Sequence, residues 1–509
     1  MIDRRSFLLL AASGAATTLI GCGDDSPAGD GTSSSETGEL TTSTTGTDGP
    51  ASSGGIDATT DSGASESGSE STDTGEPAAC LEAPSELGFV PDAIAQDDAL
   101  FPSAVMAGEM KPTSFMVAGY VDDRSPKRLL VWRAGEAQDS VVVAYDVEVD
   151  PTDDGFVKVT IDGLCPGTWY RYALFAGPQD GPVGRSWIGE CRTALADDVL
   201  EPLVLAVAAC NGDANGSFGW PALDAMSDEY YDMFLHLGDQ AYNDGAFTRD
   251  QYRTSWRQYL QAEGYKRAYS RAGMYATWDD HEVEDNGNFD RETMDPMQLE
   301  KRQNALDAYF EVLPIEAEGP NYRLWRSFRW GLTAEIIVLD CRYERRPSAG
   351  TYISAEQMAF LQERLLASPC HFKVVMNSVP ITNMPGIWDL AANDRWEGYA
   401  ASRNALLQFI DENDIPNVWF LSGDFHVCFV SRLEPSGTTR SSQIREIAVS
   451  TGNTNVLGDL LGPPQYEFAS SAAHGLIVTL DPEANAVNVR FIDPTTGDDA
   501  YNASLVDTP

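Results

Sequence analysis

Trp278-Asp279-Asp280-His281-Glu282-Val283 is the stretch on which the reading of this chain turns. Three acids, an imidazole and an indole sit together there, between two further Gly-Asp elements. Upstream lies Leu237-Gly238-Asp239-Gln240-Ala241-Tyr242, and downstream lies Ser422-Gly423-Asp424-Phe425-His426. Carboxylate oxygens, a phenol oxygen and imidazole nitrogens, each at the end of an apolar run, are the donor set of a multi-metal hydrolytic centre. Strands that each end in such a residue predict a layered α/β fold with its site at the carboxyl edge.

Outward from these motifs, residues 196–509 read as one α/β domain. Buried-type strand runs are expected at residues 203–209, 233–237, 335–339, 372–376 and 417–421, and further strands at 445–450, 475–480 and 487–492. Ser354-Ala355-Glu356-Gln357 reads as a capping box opening a helix to Ala367, and residues 298–313 and 402–411 read as further helices. Residues 80–195 change character. Alternating runs at 114–120, 128–133, 140–145 and 169–175, broken by Gly, Asp and Pro, predict a small all-β domain of immunoglobulin or fibronectin type, suited to packing and access control.

The chain has 509 residues, enough for two folded units with appendages, and its formal charge is −44. Such a polyanion gains nothing from phosphate counterion release, so nucleic-acid binding is not expected. Basic residues gather at 249–271 and 323–346, either as a rim around an anionic substrate or as ordinary solvated helix faces. At the amino end, Arg4-Arg5-Ser6-Phe7-Leu8 with the apolar run to Ile20 has the twin-arginine export pattern, and Leu19-Ile20-Gly21-Cys22 matches a lipobox. Residues 1–22 are therefore expected to be a signal, with Cys22 lipidated and the protein exported to the periplasm or cell surface, anchored to membrane. Residues 23–79 hold no Lys, Arg or aromatic residue and predict a disordered acidic tether. Export would permit disulfides among Cys80, Cys165, Cys191, Cys341, Cys370 and Cys428, with Cys80 expected to pair inside the β domain.

Taken singly, the motifs have plainer readings. Gly-Asp after a strand is also a common turn or helix cap, Tyr242 could be a core tyrosine, Cys210 a free thiol or half a disulfide, and Arg342 a partner for neighbouring acids. Their combination and order are more specific. Ala209-Cys210-Asn211, the three motifs above and Leu339-Asp340-Cys341-Arg342 together resemble the PhoD-like alkaline phosphatases of the calcineurin-type metallophosphatase superfamily. Gly163-Leu164-Cys165-Pro166-Gly167-Thr168-Trp169-Tyr170 and Pro182-Val183-Gly184-Arg185 resemble that family's amino-terminal sandwich, so the resemblance runs from Phe89 to the carboxyl end. Asn211 stands where the family usually has Gln.

The resemblance implies a layered metallophosphatase β-sandwich flanked by helices. It implies a monomeric, exported phosphohydrolase that cleaves phosphate mono- or diesters with hydroxide generated on metal, Fe3+ and Ca2+ being the family's ions. Cys210, Asp239, Tyr242, Asp280, Asp424 and His426 would be the metal ligands, His281 the acid at the leaving oxygen, Arg342 the fork on two phosphate oxygens, and Asn286 a phosphate or metal contact. Two alternatives stand beside it: a phosphodiesterase of phospholipase D type or acting on wall polymers, for which the apolar residues 387–388, 456–457 and 460–461 would suit, and a non-catalytic lipoprotein that captures metal or glycan.

Overall fold

Leu203–Ala208, Met233–His236 and Met274–Ala276 are short, apolar and mutually parallel, as strands covered on both faces should be. They form the middle of a nine-stranded sheet in the computed structural model, which describes residues 87–134, 141–212, 216–285, 289–316 and 322–507. Gly475–Asp481, Ala486–Ile492 and Asp499–Val506 extend that sheet on one side, and Met106–Lys111, Ser114–Tyr120 and Phe156–Asp162 on the other. A seven-stranded sheet has four parallel strands at its centre, Ala334–Val338, Phe372–Met376, Val418–Ser422 and Arg445–Ala448. Val141–Val149, Lys127–Ala134, Trp169–Ala176 and two short strands make a third, antiparallel sheet.

Period-two alternation assigns each strand's side chains to separate layers. Leu205, Val207 and Leu235 of the larger sheet share one core with Ile336, Val338, Val374 and Met376 of the second. Their neighbours Ala206, Ala208 and Phe234 face outward under the helices Arg249–Leu260, Glu263–Arg271 and Pro296–Val312. Ile337 and Val375 face the helices Ala355–Ala367 and Ala400–Glu412. The order is helix, sheet, sheet, helix. Each fully buried aliphatic side chain contributes roughly 1.5–3 kcal/mol, and the shared core holds the two sheets' carboxyl edges in one place.

The nine-stranded sheet crosses the border expected at 195/196, because it pairs strands from both sides of it. Phe115, Val117, Leu129 and Tyr172 belong to the same core as Leu205 and Val374, and the described residues cluster as one unit. Ser354 does cap its helix, accepting from the Gln357 backbone N–H at 3.1 Å. The Gln357 side chain does not close the box: it bonds the backbone N–H and C=O of Asp340, at 2.8 and 3.1 Å, and so locks the turn before Arg342. A second helix starts at Pro296, earlier than expected, where Asp295 and Gln298 form a complete capping box.

Cys165 is disulfide-bonded, while Cys191, Cys210, Cys341, Cys370 and Cys428 are free and buried. The signal segment with Cys22, the tether, Cys80 and Asn286 lie outside the described residues. Among the described residues no helix is long and apolar enough to cross a membrane.

Candidate metal centre

The parallel strands of both sheets end at one site. Leu203–Ala208 runs into Cys210, Met233–His236 into Asp239, Met274–Ala276 into Asp279, Asp280 and His281, and Val418–Ser422 into Asp424 and His426. The sheets approach closely here: a Cβ on Gly423 would lie 2.6 Å from Cβ of Ala209, so any larger residue would wedge the edges apart. Across the gap the Asp424 backbone N–H donates to Cys210 Sγ at 3.2 Å, and Thr277 Oγ1 donates to the Leu339 carbonyl at 2.6 Å. Cys210, Asp239, Asp424 and His426 all take left-handed backbone conformations, with φ of 60°, 57°, 65° and 57°. Side-chain-bearing residues adopt that region only where the surroundings force them.

Three overlapping groups of donor atoms result. Those of Cys210, Asp239 and His426 lie within 4.8 Å of one another, as do those of Asp239, Asp280 and His281, and those of Asp279, Asp280 and Asp424. Asp239 belongs to two groups and Asp280 to two. Tyr242 Oη joins the first, 3.3 Å from Asp239 Oδ2 and 3.3 Å from His426 Nε2. All six residues named from the sequence as metal ligands thus meet in one place. The carboxylates and Cys210 are buried, whereas Tyr242, His281 and His426 are half-buried and form the open side.

The electrostatics fit a cation-holding site. Burial, reinforced by Asp239, Asp424 and Asp279, pushes the Cys210 thiol well above its ordinary range. Burial likewise raises Asp239 strongly, with His281 opposing and Asp280, Glu282 and Asp424 adding to it. Asp279 is raised by burial against the pull of Arg342. So many anions in so little water are unfavourable unless cations stand among them. Burial disfavours the charged form of His281, but Asp239, Asp280 and Asp244 outweigh it and raise the imidazole to about 10. Its Nδ1 lies 2.8 Å from Asp244 Oδ1, and its ring stacks on Tyr242 at 3.8 Å.

Arg342 does something other than expected. The sequence reading offered its fork to two phosphate oxygens, but the side chain is 1% exposed and every nitrogen faces a protein carboxylate. Nε bonds Asp279, Nη1 bonds Asp394 at 2.8 Å, and Nη2 bonds Asp424 at 2.9 Å and Asp279 at 3.1 Å, with Asp280 at 3.4 Å. A guanidinium so enclosed spends its charge on the acid cluster and has no face left for a substrate. The basic clusters likewise resolve to helix faces and ion pairs, not a substrate rim: Arg253 pairs with Glu311, Arg267 with Asp228, Arg271 with Glu190, and Arg326 with buried Glu109.

Several residues of the site were not singled out from the sequence. Glu282 is fully buried and accepts the backbone N–H groups of Asp239, Gln240 and Asp279, at 3.0, 2.6 and 2.7 Å, so one carboxylate ties two motifs together. Burial lifts it to about 7 against those three donors. Ser378 Oγ donates to Asp279 at 3.1 Å, and Asn453 Nδ2 reaches Tyr242 Oη. Asp279 and Glu282 lie inside the Trp278–Val283 stretch, where three acids within four residues, without Lys or Arg, were the available signal. His236, which lies on the strand before Asp239, is buried, with Nε2 3.0 Å from Asn211 Oδ1 and its pKa lowered by burial to about 3.

Two facing sheets with a cluster of metal donors at their joined carboxyl edges define a metallophosphatase-type fold. The solved structure of PhoD superposes with a TM-score of 0.68, over 80% of this chain and 89% of that one, at 22% identity. Purple acid phosphatase PPD1 from yellow lupin seeds superposes with a TM-score of 0.56, over 80% of this chain and 75% of that one, at 13% identity. The sequence profile of the PhoD-like phosphatase family matches residues 205–491, more than half of the chain, and the chain belongs to that family. Alkaline phosphatase D of Bacillus subtilis (strain 168) is 28% identical over 337 residues, a match that covers 57% of this chain and 56% of the length of that relative.

Proposed function

We propose that this protein is a metal-dependent phosphoric ester hydrolase, exported and held to a membrane through Cys22, that cleaves phosphate mono- or diesters. One observation carries the reading: seven donor residues from the ends of strands in two sheets converge into three overlapping groups. Family membership supports it. The thiol, phenol and imidazole of Cys210, Tyr242 and His426 suit a transition metal such as Fe3+, and the all-carboxylate group Asp279, Asp280 and Asp424 suits a hard cation such as Ca2+. Bound there, such cations would supply Lewis-acid charge for the phosphoryl oxygens and acidify a water.

The chain's own residues do the rest. Asp239, shared by two groups, fixes their spacing. Arg342 gathers Asp279, Asp280 and Asp424, and Glu282 holds the backbone that carries Asp239 and Asp279. His281 stands at the open side with its Nδ1 held by Asp244, which leaves Nε2 to give a proton to the departing alkoxide. Protein purified after export should contain metal by elemental analysis and hydrolyse p-nitrophenyl phosphate or its bis-ester at alkaline pH. Metal-replete protein that cleaves neither ester sinks the reading.

A second reading, hydrolysis of lipid phosphodiesters, has one observation in its favour. Ile387, Leu390, Val456 and Leu460 are 42%, 58%, 55% and 65% exposed, on two short helical turns that grip Phe425, between Asp424 and His426. Trp388 packs on the Phe425 ring at 5.7 Å, and Asn455 Nδ2 bonds its carbonyl at 3.1 Å. Faster cleavage of a phospholipid above its micellar threshold than below it would favour this reading, and equal rates would remove it.

A further inference from the structure

Asn453 touches three of the four residues assigned to the transition-metal side, and neither the motifs nor the donor groups include it. It follows the strand Arg445–Ala448 in a turn pinned at both ends. Its backbone N–H donates to the Cys210 carbonyl at 2.9 Å, and Ser450 Oγ donates to its carbonyl at 2.5 Å. Its side chain packs against the bare backbone of Gly212, where a Cβ would lie 2.4 Å from Asn453 Oδ1. Held so, Nδ2 lies 2.5 Å from Tyr242 Oη and 3.3 Å from His426 Nε2. Once the His426 nitrogen gives its lone pair to a cation, the phenol oxygen remains as the acceptor for that N–H.

We propose that Asn453 is a positioning residue that donates a hydrogen bond to the Tyr242 oxygen and thereby sets how strongly that phenolate gives electron density to a ferric ion. The proposal rests on the reading of Cys210, Asp239, Tyr242 and His426 as an iron site. An amide N–H to a phenolate draws charge off the oxygen, weakens it as a donor and leaves the iron a stronger Lewis acid. The opposite amide orientation, with Oδ1 accepting the phenol proton, would hold Tyr242 back from the metal. The two orientations make opposite demands on an aspartate, which can only accept.

Asn453→Leu keeps the branched shape without donor or acceptor, and Asn453→Asp keeps the acceptor alone. In iron-loaded protein the tyrosinate-to-iron absorption band should move to longer wavelength in both variants. Iron content should be retained, and kcat should fall about tenfold with KM little changed. An unmoved band in both, with iron bound, overturns the proposal, as does a band moved in Asn453→Leu and unmoved in Asn453→Asp. Should the variants not fold, the unaltered protein still decides. Its tyrosinate C–O stretch in resonance Raman should shift in D2O, and a fixed frequency refutes the hydrogen bond. Iron-loaded protein with no tyrosinate band at all refutes the iron assignment itself, and this proposal with it, whether or not phosphate esters are cleaved.

Discussion

The two sides of the donor cluster are built on opposite principles. Cys210, Tyr242 and His426 offer sulfur, phenol and imidazole, and two of the three are half-buried. Asp279, Asp280 and Asp424 offer only carboxylates, all buried, and already share the cation of Arg342. The first side is assembled from loops that can reach solvent, and the second is closed by a side chain the protein supplies. The first side therefore offers mixed soft and hard donors, whereas the second is an anionic wall whose charge is only partly balanced from within.

Four substitutions test that contrast, the largest effect first. Asp239→Asn strikes the residue shared by the group of Cys210 and His426 and the group of Asp280 and His281, and hydrolysis should fall by roughly three orders of magnitude, with bound metal lost by elemental analysis. Retained metal and activity would show that the sides work separately. Arg342→Ala strikes only the closed side. Leaving the three buried carboxylates of Asp279, Asp280 and Asp424 without their partner should cost about 3–5 kcal/mol of stability, read as a large drop in Tm that added divalent cation partly restores. Unchanged stability would mean that the wall balances itself.

His281→Ala belongs to the open side and should slow esters of poor leaving groups by about a hundredfold while barely affecting p-nitrophenyl esters, since an acidic phenol needs no proton. Equal losses on both would assign His281 to binding. Glu282→Gln serves both sides by holding the backbone of Asp239 and Asp279. It keeps the shape but lacks one acceptor oxygen, and kcat should drop about tenfold with metal content nearly intact.

Local features of the sequence announced the strands and the donors at their ends. An apolar run followed by Gly-Asp is legible because the cause lies within a few residues. The partners of Arg342 were not legible, because Asp279, Asp394 and Asp424 lie 63, 52 and 82 residues away and only the joined sheets bring them together. Gln357 carried the signature of a capping box, yet a nearby turn claimed its side chain. Asn453 sits in a loop with no periodic signal. The border at residue 195 follows a change of strand style, and what the sequence could not show is that the core runs across it: Phe115 and Leu205 share one.

The left-handed backbone at Cys210 leads to a last expectation about durability. A non-glycine residue held there costs about 1 kcal/mol or more. Cys210→Gly removes that strain. Stripped of its ions, the crippled enzyme should therefore outlast the intact one on heating, which would make thermal toughness and competence rivals at a single position.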